Sequence, residues 1–537
     1  MAKQFPTQKY LLSAPVIFSL LILGLGLVLR FANINNDNFF LYDEGYYLNY
    51  NRPVLELIDG HFPVKMPDMI QAVYLSLRAA LATGKPLWFF IVDARVFFGG
   101  VHQWFFPHLV SAVFGTLTLG LVFLFARKLF NSTTAGLLSL MILNVLPSHV
   151  FYSRLALQEG LCAFLFLAGF YFYLFPARFG AKTFLSSFLL VLAYFSNYRL
   201  VILPGLVLFA EFYISLSSGQ KPNFRKYFWH TLIFIFLVLM IGSIDKGRYI
   251  TVVFAWMFHQ ADLAQSQRHF LDLFSYPYYI FRLEGIVFAT LFFANGYYLM
   301  KRQWQRAFCF SLACFYMLIF SLTAEKGARY LCVMLPFMAM AVAGFLEQLF
   351  SKDNLKINRK FVVIITIILF AGLIVRSIDV AQFRSDYKNS VKYIRAVSPQ
   401  FKIITTQPWI QKLYVSQDDV AEMPKNYEAL LGAYKKGYRY LIICPQAFIS
   451  WTDNKEKFDP HLLPYLKFIT TFVEPVKTFS HFNNRLLERF VFEHNENLKT
   501  SVQFLSSGKK DLGALRVYDL KTCINAVENV YHPKKGK

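Results

Sequence analysis

The sequence predicts a polytopic α-helical membrane protein with a soluble α/β domain at its C-terminal end. Three observations predict it. Of 537 residues, 56% are hydrophobic and only 16% are charged, against roughly a quarter charged in soluble proteins. Long apolar runs recur through about the first 375 residues. Beyond residue 379 the pattern changes to short β-rich runs alternating with helical stretches.

The apolar runs fall at 11–29, 106–126, 134–151, 160–175, 183–195, 200–216, 228–241, 280–299, 307–322, 330–349 and 361–375. That is about eleven spans, several of them shorter than the usual ~20 residues. Lys3 and Lys9 precede the first run and no small-residue cleavage site follows it, so it is read as an uncleaved span.

Orientation follows from the short connections. With a cytoplasmic N-terminus, the inner connections carry Arg127 and Lys128, then Arg178 and Lys182, then Lys221, Arg225 and Lys226. Lys301, Arg302 and Arg306 come next, then Lys352, Lys356, Arg359 and Lys360. Every inner connection is basic, as the positive-inside rule requires. An odd number of spans then puts the C-terminal domain, 379–537, outside, and leaves 1–378 as the membrane domain.

Two further segments lie outside on this topology. Within the loop at 30–105, the stretch 67–100 has apolar faces interrupted by Asp68, Arg78, Lys85, Asp93 and Arg95, which suits helices lying on the membrane surface. The loop at 243–278 carries His259 and His269; both read more readily as loop histidines than as metal ligands. In the C-terminal domain, 402–406 and 438–443 read as strands, and 390–396 and 427–436 as helices. No glycine fingerprint for a nucleotide follows those strands.

The formal charge of +23 invites a nucleic-acid reading. The bases are scattered through short connections instead of clustered with aromatics, so membrane topology and anionic lipid explain them better. Among the cysteines, Cys162, Cys309, Cys314 and Cys332 lie in apolar runs, where Cys acts as a small hydrophobe. Cys444 and Cys523 share the soluble region, and the sequence leaves their pairing open. No zinc spacing exists.

Polar residues collect at the outer ends of the runs. Tyr42-Asp43-Glu44 follows the first span and sets two carboxylates side by side just past a membrane surface, where ionisable groups are costly and tend to be functional. The bland reading is a polar loop. Pro147-Ser148-His149 leads to Arg154, with Gln158 and Glu159 opening the next run. Arg154 and Glu159 are about a turn apart and can share a cavity, or pair as structure. Arg199 ends the fifth run, and Glu325-Lys326-Gly327-Ala328-Arg329-Tyr330 precedes the tenth. Arg154 and Arg199 also suit snorkelling to the interface, and the Lys326–Arg329 cluster also suits ordinary loop charge. Guanidinium and ammonium groups bind phosphate, a carboxylate can deprotonate a hydroxyl or amine, and an apolar wall takes a lipid tail. Together these suggest group transfer from a membrane-bound phosphate donor.

At these residues the chain resembles the GT-C glycosyltransferases that use polyprenyl-phosphate sugars. It is similar to the branch of protein mannosyltransferases and lipid A aminoarabinose transferases. The matching features are Asp43-Glu44 after the first span, Ala126-Arg127-Lys128-Leu129-Phe130, the stretch from Pro147 to Glu159, and Arg329-Tyr330 followed by Leu335-Pro336. The resemblance covers about residues 10–350. It implies that Asp43 is the catalytic carboxylate with Glu44 beside it, and that Arg329 and Tyr330 lie near the lipid phosphate. It implies a second acidic position at Glu159, although Gln158 precedes it here. Lys326 and Arg199 join the phosphate group by their positions alone.

The expected function is transfer of a sugar from a polyprenyl-phosphate donor to a lipid, glycan or protein acceptor on the extracytoplasmic face, with inversion. No cofactor is implied, and a divalent metal is left open. The alternatives are a transporter or flippase of lipid-linked sugars, or a scaffold acting through its outer domain. A transporter predicts charges in mid-span and repeated halves; here the charges gather at one end of the spans. A scaffold leaves that ordering unexplained. The one Asn-x-Ser/Thr sequon, at Asn131, falls in an inner connection, which favours a bacterial inner membrane.

Overall fold

The computed structural model describes residues 14–34, 39–52, 55–56, 66–175, 180–219, 221–244, 246–267, 270–323, 326–350, 358–424, 426–444, 462–480, 484–494, 498–506 and 514–531. His269 and Glu325 lie outside them.

Each apolar run forms a helix. Among the described residues, six helices are long and apolar enough to cross a membrane: Phe105–Phe130, Tyr198–Ser218, Phe224–Gly242, Trp304–Ser321, Ala328–Phe350 and Arg359–Ala381. Leu20–Phe31, Thr133–Asn144, Glu159–Leu174, Ala181–Ser196 and Ile286–Met300 are apolar but shorter. The protein is integral to the membrane. Boundaries follow local chemistry. Asn131 takes a left-handed conformation (φ 51°) and ends Phe105–Phe130. The Ser132 hydroxyl then caps the next helix by accepting from the Ala135 N–H at 3.2 Å.

The two ends of the helix bundle differ. At one end Lys128 sits 4.7 Å over Phe175 and Lys226 sits 3.9 Å over Tyr173, cations resting on aromatic faces. At the other end polar side chains turn inward. Arg30 is fully buried. It donates to the carbonyls of Gly26 at 2.9 Å and Asn144 at 2.8 Å, and its Nη2 meets His149 Nδ1 at 2.7 Å. Gly26 is required here, because a Cβ would lie 2.0 Å from the Asn144 Oδ1.

The first loop carries helices Tyr42–Tyr50, Met66–Leu81 and Pro86–Asp93. Asp93 accepts from Asn51 at 2.6 Å and from Ser76, and lies 3.7 Å from Arg95. This buried network ties the three helices together. The stretch expected as a second loop contains a 20-residue helix, Arg248–Gln267. Tyr249 and Val253 are buried on one face of it, with Tyr249 5.1 Å from Phe195. That apolar face is why the segment orders.

Among the described residues, the C-terminal region forms a five-stranded mixed sheet: β1 Lys402–Thr405, β2 Val420–Glu422, β3 Tyr438–Ile443, β4 Lys477–Phe479 and β5 Leu515–Asp519. The order is β2-β1-β3-β5-β4. β1 runs parallel to β2 and β3, and β5 runs antiparallel to β3 and β4. Alternation with period two sends Ile404, Leu441, Ile443 and Tyr518 into a core with Leu520 and Cys523. Ile403, Ile442, Val517 and Cys444 belong instead to the core continuous with the bundle. Cys444 and Cys523 are therefore in separate cores, and both are free thiols.

The sheet unit rests on the polar end of the bundle. The turn Pro408–Gln411 packs against Tyr42–Tyr50. Gly45 permits this, since a Cβ would come within 2.6 Å of the Ile410 nitrogen. Asn49 donates to the Trp409 carbonyl at 2.8 Å and Arg52 to that of Lys412 at 2.8 Å. Phe383, just past Arg359–Ala381, meets Phe40 at 5.3 Å.

Candidate active site

Asp43 and Glu44 are neighbours in sequence and face opposite ways. Both begin helix Tyr42–Tyr50, where its unpaired N–H groups favour acids. Glu44 is fully buried. Its Oε2 accepts from the N–H groups of Phe40 at 2.6 Å and Leu41 at 2.9 Å, and its Oε1 accepts from that of Ala156 at 2.8 Å. Glu44 thus clamps the first loop to the chain leading into Glu159–Leu174.

Asp43 points into the space between the first loop and the tenth span. Its Oδ2 accepts from Arg329 Nη1 at 2.6 Å and from the Tyr47 hydroxyl at 3.3 Å. The Lys85 ammonium donates to the same Tyr47 hydroxyl and lies 4.6 Å over its ring. Burial raises the Asp43 carboxyl, but Arg329 and then Lys85 outweigh it and hold it well below the usual carboxylate range. Burial brings Lys85 down to about 8, against the pull of Asp43.

Arg329 lies in a 3-10 segment, Ala328–Met334. Its backbone N–H donates to Glu493 Oε1 at 2.8 Å, and its Nε is 3.6 Å from Glu493 Oε2. Glu493 comes from helix Asn484–His494, far along the C-terminal region. The Tyr152 hydroxyl donates to the same carboxylate. Burial pushes Glu493 up to about 7, against the pull of Arg329.

Beside this file of charges is a narrow cleft lined by Glu159, Asn197, Arg199, Arg329 and Tyr330, with Leu200, Phe320 and Val333 as apolar wall. The Arg199 guanidinium stacks 4.2 Å over the Tyr330 ring. Asp43, Glu159, Arg199, Arg329 and Tyr330 are thus brought together from four distant stretches. Glu44, Arg154 and Lys326 are placed elsewhere. Arg154 donates to the Leu29 carbonyl at 2.5 Å, capping the end of the first helix. Lys326 is buried 3.6 Å from Asp272 and donates to the Thr323 carbonyl at 2.8 Å.

Sequence reasoning missed Lys85, Tyr47, Tyr152 and Glu493 as members of the site. Tyr47 was within reach, one helical turn after Asp43. Lys85 was visible only as a charge in the first loop. Nothing local marks Glu493. Among the described residues, no group of three or more His, Cys, Asp or Glu could hold a metal.

The chain is thus a helix bundle whose polar end bears a carboxylate, several cations and an apolar-walled cleft, covered by a small sheet unit. Residues 20–238 match the family described as dolichyl-phosphate-mannose-protein mannosyltransferase. Among solved structures, ArnT from Cupriavidus metallidurans in the apo state aligns with a TM-score of 0.51 at 13% identity, over 82% of this chain and 95% of that one. The Archaeoglobus fulgidus oligosaccharyltransferase in the apo form gives 0.53 at 10% identity, over 85% and 73%. The same organism's AglB, in complex with an inhibitory peptide and a dolichol-phosphate, gives 0.51 at 9% identity, over 83% and 72%. A comparison with curated protein sequences gives no match. The chain thus shares its fold with ArnT and the archaeal oligosaccharyltransferase, and its first half resembles the dolichyl-phosphate-mannose-protein mannosyltransferase family.

Proposed function

We propose that this protein is a membrane glycosyltransferase that moves a sugar from a polyprenyl-phosphate donor to an acceptor on the extracytoplasmic face, inverting the anomeric centre. The observation that carries the reading is the contact of Asp43 with Arg329 beside the cleft. It sets a candidate base next to a candidate phosphate ligand. The matching family and the archaeal relative's dolichol-phosphate support a lipid-phosphate donor.

In this reading Asp43 takes the proton of an acceptor hydroxyl or amine. The acceptor atom bonds to the anomeric carbon as the bond from that carbon to the phosphate oxygen breaks, through an oxocarbenium-like state by analogy with glycoside chemistry. The polyprenyl phosphate leaves with the bonding electrons. Arg329 and Lys85 neutralise it, and Arg199 adds to their field. Tyr330 and the apolar wall receive the lipid. Glu159 is a second carboxylate in the lining of the cleft. The alternating basic connections support a cytoplasmic N-terminus and an external sheet unit, and the confinement of the one Asn-x-Ser/Thr sequon to an inner connection supports a bacterial inner membrane.

The test is mass spectrometry of lipid co-purified with the protein, followed by a transfer assay in nanodiscs with polyprenyl-phosphate sugars. Retained polyprenyl phosphate and Asp43-dependent transfer are expected. Absence of both would overturn the reading.

A further inference from the structure

We propose that Glu493 is a positioning residue that holds Arg329 in register while its guanidinium passes from Asp43 to the donor phosphate. The inference rests on the donor reading above.

Arg329 has two tasks that compete. At 2.6 Å from Asp43 it holds the carboxylate through Nη1 and suppresses its basicity. To grip a phosphate with both Nη groups it must release Asp43, which then becomes the stronger base. Such a hand-over needs a fixed pivot, and Glu493 has the geometry of one. Its Oε1 accepts from the Arg329 backbone N–H at 2.8 Å, so the main chain stays in place whichever way the side chain points.

Its Oε2 faces the Arg329 Nε at 3.6 Å, and both atoms are buried with no hydrogen-bond partner among the described residues. Buried polar atoms left unpaired call for a reason. Here each is the complement of the other, and a closure of under about 1 Å would join them at normal hydrogen-bond length. A guanidinium turned toward phosphate would make that bond and be held from behind.

The carboxylate is itself rigidly delivered. Its side chain is 1% exposed. Four residues earlier, Arg489 is buried 4.7 Å over Phe151 and donates to Ser148 Oγ at 3.1 Å. Arg282 pairs with Glu488 on the same helix. Gly327 leaves room for the approach, since a Cβ would stand 3.0 Å from the Glu493 Oε2.

The experiment measures binding of undecaprenyl phosphate to the full-length protein in nanodiscs, with melting temperature beside it. Glu493→Gln keeps an acceptor for the backbone N–H but turns a donor toward Nε. It should weaken binding about tenfold, the scale of one charged hydrogen bond. Glu493→Gln with Arg329→Lys should bind no worse than Arg329→Lys alone, because the two act as one unit. Glu488→Gln removes the ion pair with Arg282 that docks the same helix and leaves Glu493 in place; it should lower the melting temperature without changing binding. If Glu493→Gln lowers the melting temperature as Glu488→Gln does and leaves binding unchanged, Glu493 only docks its helix and the proposal falls. If the wild-type protein binds no undecaprenyl phosphate, the donor reading fails first, which is a distinguishable result.

Discussion

Arg329 Nη1 lies 2.6 Å from Asp43 Oδ2, joining residues 286 positions apart in the chain. The contact links the first loop to the segment opening the tenth span. In the resting protein it keeps Asp43 ionised and poorly basic. Donor phosphate would compete for the same guanidinium, so donor binding should precede acceptor activation.

Asp43→Asn should abolish transfer while leaving folding near wild type. A general base contributes roughly 10²–10⁴-fold, and the amide can still accept from Arg329. Steady-state turnover with the purified protein checks it. A variant retaining more than about a tenth of wild-type turnover would mean that Asp43 is not that base.

Arg329→Lys should slow transfer by about tenfold or more despite the retained charge, because an ammonium replaces a planar fork. Lys326→Arg should leave donor affinity unchanged. Lys326 is engaged with Asp272 and Thr323, away from the cleft lining. Undecaprenyl-phosphate titrations on both variants separate the two positions; equal weakening would move Lys326 back among the phosphate ligands.

Donor affinity should fall as pH rises through about 8. Burial lowers the Lys85 pKa to about 8 in the unliganded protein, so its ammonium is present below that pH and lost above it. Bound phosphate favours the charged form and shifts the limb upward. Lys85→Gln should bind more weakly at pH 7 and show a flatter profile from pH 7 to 9. An unchanged alkaline limb in the variant would assign it to another group.

Glu44→Gln should act on stability before chemistry. Both Glu44 oxygens accept backbone N–H groups, three in all, and an amide nitrogen facing such a donor leaves it unpaired. A loss of about 1–3 kcal/mol follows. Thermal unfolding in detergent checks it, with turnover per folded molecule staying near wild type.

A reporter fused after Lys537 should be active only outside the cytoplasm, as the basic inner connections require. Activity confined to the cytoplasm would invert the topology and move the site to the other face.

The sequence by itself determined the membrane class, the succession of apolar helices and the mixed helix-and-strand character of the C-terminal region. These are written in consecutive residues: hydropathy, basic connections and period-two alternation are local signals. It also marked Asp43, Glu44, Arg154, Glu159, Arg199, Lys326 and Arg329, because charges beside apolar runs stand out, and Tyr330 through the resemblance of Arg329-Tyr330 to a family motif. Only the tertiary structure decided which of those charges meet. It turned Glu44 and Arg154 to the backbone and Lys326 to Asp272, and it ordered 248–267 against the bundle. Lys85 and Glu493 entered the site through contacts that no spacing rule encodes. The physical reason is that a buried charge settles wherever long-range packing offers a partner. For Glu493 that partner is Arg329, 164 residues away in the chain.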